Sequence, residues 1–358
     1  MKTRHILILV AVLAVLALLT WTTRSRENAG WRTEQEAETL LPNGFNAEEI
    51  KVIVVRKGAQ NLVFRRTEQG WILDERGGYP VDVSQLGKIV LDLMETRIAQ
   101  KYKADEQGLG EMMLTPDSGA VGLELKDAQG AVKAQFSFGK RIEKEADQVS
   151  MAALYGQAAG IPLGRYVLLP GGEAALVANT FSILDNAPGQ WLDQEFIAVD
   201  KLKSISLSAD GKVLWTLERK EQNAALEIAC ELPKGYQPDT NVIGAIDRAF
   251  SWLPFKDVAV AEGSLKANKI LSMKDWNGTS YQIAFGEKTQ DGRYMHVSAS
   301  YDGEDKDKAE KTKALDSRMA KYDYLVIPNA FDAVDRTLVQ LCKEAEKEAP
   351  SAGQQGGK

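Results

Sequence analysis

The chain has 358 residues, 44% apolar and 26% charged, with a net charge of −6 and a pI near 5.3. That length allows two domains of about 150 residues, each able to bury a core without covalent staples. The acidic balance supplies no cation cluster for nucleic-acid phosphates, and two cysteines, Cys230 and Cys342, are too few for a disulfide scaffold.

Residues 1–5 carry Lys2 and Arg4 and read as a cytoplasmic tail. Residues 6–23 follow without a charge, about 27 Å as a helix, enough to cross a bilayer core. Trp21 stands where an interfacial aromatic belongs. No Ala-x-Ala site follows the apolar run, so the reading is an uncleaved anchor rather than a signal peptide. The body is then exported, in a bacterium into the periplasm beyond the inner membrane. Residues 24–48 are polar and read as a stalk, and residues 343–358 as a disordered tail.

The body repeats itself in short matches. Ile50-Lys51-Val52-Ile53 resembles Leu202-Lys203-Ser204-Ile205, and Pro80-Val81-Asp82 resembles Pro238-Asp239-Thr240. Lys126 to Gly130 resembles Lys274 to Gly278, and Phe136 to Gly139 resembles Ile283 to Gly286. Tyr166 to Pro170 resembles Tyr324 to Pro328. The five keep one order at offsets between 147 and 158 residues, which predicts two tandem related domains, 49–198 and 199–342.

Each copy opens with β-branched strands joined by turns at Lys57-Gly58 and Asp210-Gly211. A helix follows. In the first copy Val83, Leu86, Val90 and Leu93 share a face, with Asp82 and Gln85 as a capping box. In the second, a stripe from Val242 to Leu253 ends at Pro254. Strand pairs then turn at Gln129-Gly130 and Asn277-Gly278, and a final strand precedes Pro170 or Pro328. The expected fold is α+β, each domain a mainly antiparallel sheet with one principal helix.

No catalytic motif emerges. His296 sits in a strand pattern, and two histidines with two distant cysteines do not make a structural zinc site. Ser137-Phe138-Gly139-Lys140 matches Ser-x-x-Lys, but in a strand, where that chemistry needs a helix start. The acidic run from Asp302 to Asp307 lacks calcium-loop spacing and reads as a solvated loop. Trp215 and Trp252 lie among apolar residues and are expected in the core. Trp276, in a turn, is the candidate for an exposed ligand or partner contact.

Gly70-Trp71-Ile72-Leu73, Tyr79-Pro80-Val81-Asp82, Thr115-Pro116, Phe138-Gly139 and Arg165-Tyr166-Val167 behind an N-terminal anchor resemble the bacterial domain-of-unknown-function 4340 family. The resemblance implies a membrane-anchored extracytoplasmic protein with the domain in tandem. It also implies kinship with the auxiliary component of gliding-motility-type ABC transporters, with permease subunits as partners. It supplies no catalytic, cofactor or metal residues. The function expected is a non-enzymatic accessory subunit of a cell-envelope complex. The alternative is a periplasmic glycan- or peptide-binding module.

Overall fold

The computed structural model describes residues 38–144, 161–197, 199, 201–263 and 265–345. The expected tail and anchor, most of the stalk and the residues from 346 onward lie outside them. Among the described residues, no helix is long and apolar enough to cross a membrane.

The protein is α+β. The first half of the chain forms β1 (Val52–Lys57), β2 (Gln60–Thr67), β3 (Gly70–Leu73), β4 (Tyr79–Pro80), α1 (Val83–Glu95), β5 (Ile98–Tyr102), α2 (Glu106–Glu111), β6 (Val121–Lys126), β7 (Val132–Lys144), β8 (Ile161–Leu168) and β9 (Ala174–Val177). The second half forms β10 (Leu202–Ala209), β11 (Lys212–Glu218), β12 (Glu227–Ile228), β13 (Tyr236–Pro238), α3 (Thr240–Arg248) and β14 (Asp257–Val260). It continues with β15 (Lys269–Asp275), β16 (Thr279–Phe285), β17 (Arg293–Tyr301), α4 (Lys306–Met319), β18 (Tyr322–Val326) and β19 (Cys342–Glu344).

The two large sheets have the orders β4-β3-β2-β1-β6-β7-β8-β9-β5 and β12-β11-β10-β15-β16-β17-β18-β14, and β13 pairs with β19 in a small third one, so residues 343 and 344 of the expected disordered tail lie in a strand. From β3 to β5 the first sheet has the same order as the second, strand for strand. The tight turns that join β1 to β2 and β10 to β11 enforce the antiparallel register, Ile53 opposite Phe64 and Ile205 opposite Leu217.

The local bonds coincide as well. Lys51 O accepts from Arg66 N, and Lys203 O from Arg219 N. Asp127 Oδ1 accepts from Gln129 N and Ala131 N, while Asp275 Oδ1 accepts from Asn277 N and Thr279 N. Asp82 N donates to Trp191 O at 2.9 Å, and Asp239 N to Leu341 O at 2.9 Å. Arg165 Nε donates to Gly139 O, and Arg293 Nε to Gly286 O. Each arginine stands over the phenylalanine before its glycine, Phe138 or Phe285.

One sequence match fails. Tyr166 lies in β8, but Tyr324 lies in β18, whose counterpart by sheet order is β9. The counterpart of β8 is β17, so Arg165 answers to Arg293. A short, continuous apolar run that stops at proline looks alike wherever its strand sits in a sheet, and the match followed that pattern.

The chain groups into two compact units. One contains 38–49, Lys88–Glu124 and Val132–Phe181; the other contains Ile50–Gly87, Leu125–Ala131 and the residues from Ser182 onward. In the first, Leu41, Ile89, Leu93, Leu123, Phe136, Phe138 and Phe181 form the core. The second is built on Phe64, Tyr79, Trp191, Trp215, Phe250, Phe285 and Phe331. Apolar burial of this kind supplies about 25 cal/mol per Å², the main favourable contribution to folding.

The helices differ from expectation in three places. The buried positions of α1 are Leu86, Ile89 and Leu93, whereas Val83 in the first turn is 52% exposed. Asp82 Oδ1 accepts from Ser84 N, but the Gln85 side chain donates to Asp82 Oδ2 instead of accepting from Asp82 N. That N–H is already bonded to Trp191 O, so the capping box is half formed. In the second half, α3 ends at Arg248, five residues before the apolar stripe ends. Trp252 therefore falls in irregular chain and is 68% exposed, while Phe250 and Leu253 turn inward.

The second half also has a helix the apolar pattern did not reveal. Asp305 accepts from Asp307 N and Lys308 N and starts α4, so the acidic run is a helix cap rather than only a solvated loop.

Candidate functional site

Trp276 sits at the β15–β16 turn. It is half-buried, with Lys203 Nζ 5.3 Å from its ring centroid, and its indole nitrogen is buried with no hydrogen-bond partner among the described residues. The counterpart turn in the first half has Ala128 at this place. The turn abuts the outer face of the second sheet, where register aligns Thr216, Ser206, Ser272, Gln282 and Ser298 in one row across five strands. A neighbouring row runs Glu218, Ser204, Lys274, Ser280 and Ser300. Because successive strand residues alternate faces, one face receives Ile205, Leu207 and Leu271 and the other the hydroxyls. This face presents donors and acceptors at regular spacing with little charge.

His296 Nδ1 lies 3.0 Å from Asp323 Oδ1, directly across the β17–β18 register. Asp323 is buried and His296 half-exposed. A carboxylate in this position orients an imidazole, yet no serine or cysteine is hydrogen-bonded to His296 among the described residues. No group of three or more His, Cys, Asp or Glu side chains there is placed to hold a metal ion. Cys230 and Cys342 are free thiols; burial first, then the charge of Cys230, pushes the Cys342 thiol up.

Two clefts of about 880 Å³ lie in the unit that contains β10–β18. The first has Val260, Leu265 and Tyr294 as apolar lining, with Glu262, Glu287 and Asp323 against Lys266. The second sets Trp71, Ile72 and Pro80 opposite α4, with Lys311, Arg318 and Lys321 against Glu195. Equal in size, they are opposite in charge. Arg318 is held by Asp193 Oδ2 at 3.4 Å and Glu195 O at 2.6 Å.

Behind the second cleft Tyr79 packs edge-on against Phe255, Tyr322 and Tyr324. Burial pushes the Tyr79 hydroxyl up to about 12, and it pushes that of Tyr324 further. Both hydroxyls are neutral at physiological pH.

The sequence singled out Trp276 alone. It missed the cleft residues of α4 because that helix has lysine and glutamate on most faces and so shows no apolar stripe. Trp71 was visible as a motif residue, but its neighbours across the cleft lie some 240 residues away in the chain.

These features define a two-sheet α+β protein. Comparison with protein-family models, with characterised proteins and with solved structures gives no match for this chain.

Proposed function

We propose that the protein is a non-enzymatic, membrane-anchored accessory subunit of a bacterial cell-envelope complex, its body in the periplasm and made of two tandem related domains. An ABC transporter permease is the partner that the family resemblance suggests. The observation carrying this reading is the repetition of eight strands in one order with the same buried bonds, while exposed positions differ. Ala128 against Trp276 is such a position. A core kept twice and a surface changed twice is what two binding faces on one scaffold require. The uncharged run 6–23 supports the anchor.

The test is native co-purification: the full-length protein, tagged at its C-terminus, is extracted from its host in mild detergent and its companions are identified by mass spectrometry. Transporter permease and ATPase subunits in stable ratio are expected. Recovery of the protein alone would remove the reading.

The hydroxyl rows beside Trp276 favour a second reading, a periplasmic glycan- or peptide-binding module. It expects Trp276→Ala to weaken binding of an envelope glycan or peptide to the full chain. An unchanged affinity takes Trp276 out of the site.

A further inference from the structure

We propose that the Trp71 cleft binds small organic anions with an apolar body, that is, a carboxylate carried on an alkyl or aryl group. The inference does not rest on the accessory-subunit reading. Trp71, Ile72 and Pro80 of β3 and β4 line the cleft together with Leu315 of α4, and Tyr322 lies just beyond the end of that helix. These surfaces take an apolar group out of water. The volume, about 880 Å³, falls within the range of small-molecule sites.

The charge sets the head group. Lys311, Arg318 and Lys321 face one carboxylate of the lining, Glu195, and Arg318 is partly neutralised by Asp193. Lys311 and Lys321 are exposed, and among the described residues neither has an ion-pair partner. A cleft with unpaired lysines on a chain of net charge −6 is a local reversal of sign. Such a cleft attracts an anion that the rest of the surface repels. The other large cleft, where Glu262, Glu287 and Asp323 oppose Lys266, is the built-in comparison: it has the volume without the charge.

The test is calorimetric titration of the full chain in lipid nanodiscs, with empty nanodiscs subtracted, against 4-phenylbutyrate, 4-phenylbutanol and acetate. Saturable binding of 4-phenylbutyrate is expected, with the alcohol and acetate weaker by about tenfold or more. The double variant Lys311→Gln/Lys321→Gln should weaken 4-phenylbutyrate by about tenfold and leave the unfolding temperature unchanged, since both side chains are exposed. Trp71→Ala should weaken the carboxylate and the alcohol alike. Decanoate binding tighter than the peptide acetyl-Leu-Phe assigns acyl chains as the source; the reverse assigns peptide C-termini. Equal binding of acid and alcohol, an unaltered affinity in the lysine variant, or no saturable binding overturns the proposal.

Discussion

Arg293 concentrates more interactions than any other charged side chain of the second sheet. Its Nε donates to Gly286 O at 2.6 Å and its Nη2 to Asp335 Oδ2 at 2.6 Å, while the guanidinium stands over Phe285 and Phe331. Lys269 also donates to Asp335. Burial by itself would raise the Asp335 carboxyl, but the hydrogen bonds from Lys269 and Arg293 outweigh it and hold the group below its ordinary range. A depressed carboxyl contributes stability above the unfolded value of about 3.9 and loses it as pH falls through the folded one. Asp335→Asn is therefore expected to flatten the loss of stability below about pH 4, measured as urea midpoints across pH. Arg293→Met takes the side-chain donor from Gly286 O and leaves Asp335 with Lys269 alone, and should cost about 3 kcal/mol at pH 7.

At the scale of elements, the two copies test each other. Gly189 lies in the 3₁₀ turn Pro188–Trp191, and a Cβ there would collide with the backbone carbonyl of Lys256. Its counterpart Val339, in the turn Leu338–Leu341, is 45% exposed. In both turns a glutamine side chain closes the loop: Gln190 Oε1 accepts from Ala187 N, and Gln340 Oε1 from Thr337 N. The start of β14 packs on the first turn. Gly189→Ala should cost about 3 kcal/mol or more by chemical denaturation, and Val339→Ala within about 0.5 kcal/mol. The cap of α4 is a second case. Asp305→Ala leaves two first-turn N–H groups without their acceptor, with an expected loss of about 1 kcal/mol and faster amide exchange at Asp307 and Lys308.

For the whole molecule, the compact units do not follow the halves of the chain. Ile50–Gly87 groups with the residues from Ser182 onward. Tyr79 is fully buried, and its ring partners Phe255, Tyr322 and Tyr324 all come from the second half. Arg76 holds Asp257 through two bonds, Nε to Oδ1 at 2.6 Å and Nη2 to Oδ2 at 2.8 Å. Tyr322 donates its hydroxyl to Gly77 O. A fragment of residues 38–197 is thus expected to expose an aromatic surface. It should bind a hydrophobic dye and unfold without a cooperative thermal transition, where the full chain shows one. A fragment that unfolds as sharply as the full chain would make the first half an autonomous domain.

What the sequence determined by itself is local. Strand positions followed from β-branched alternation and from turns such as Asp210-Gly211, because a side chain's face and a turn's backbone depend on near neighbours. Repetition of the strand pattern followed too, since four of the five motif matches fall on counterpart elements. Tertiary structure decided what depends on distant residues: that Arg165 answers to Arg293, that Trp252 is exposed, and that α4 forms without an apolar stripe. It also decided that Trp71 meets Lys311 and Lys321 across a cleft. No local pattern encodes that meeting, because it arises where β3 and α4, far apart in the chain, bury their surfaces in one unit.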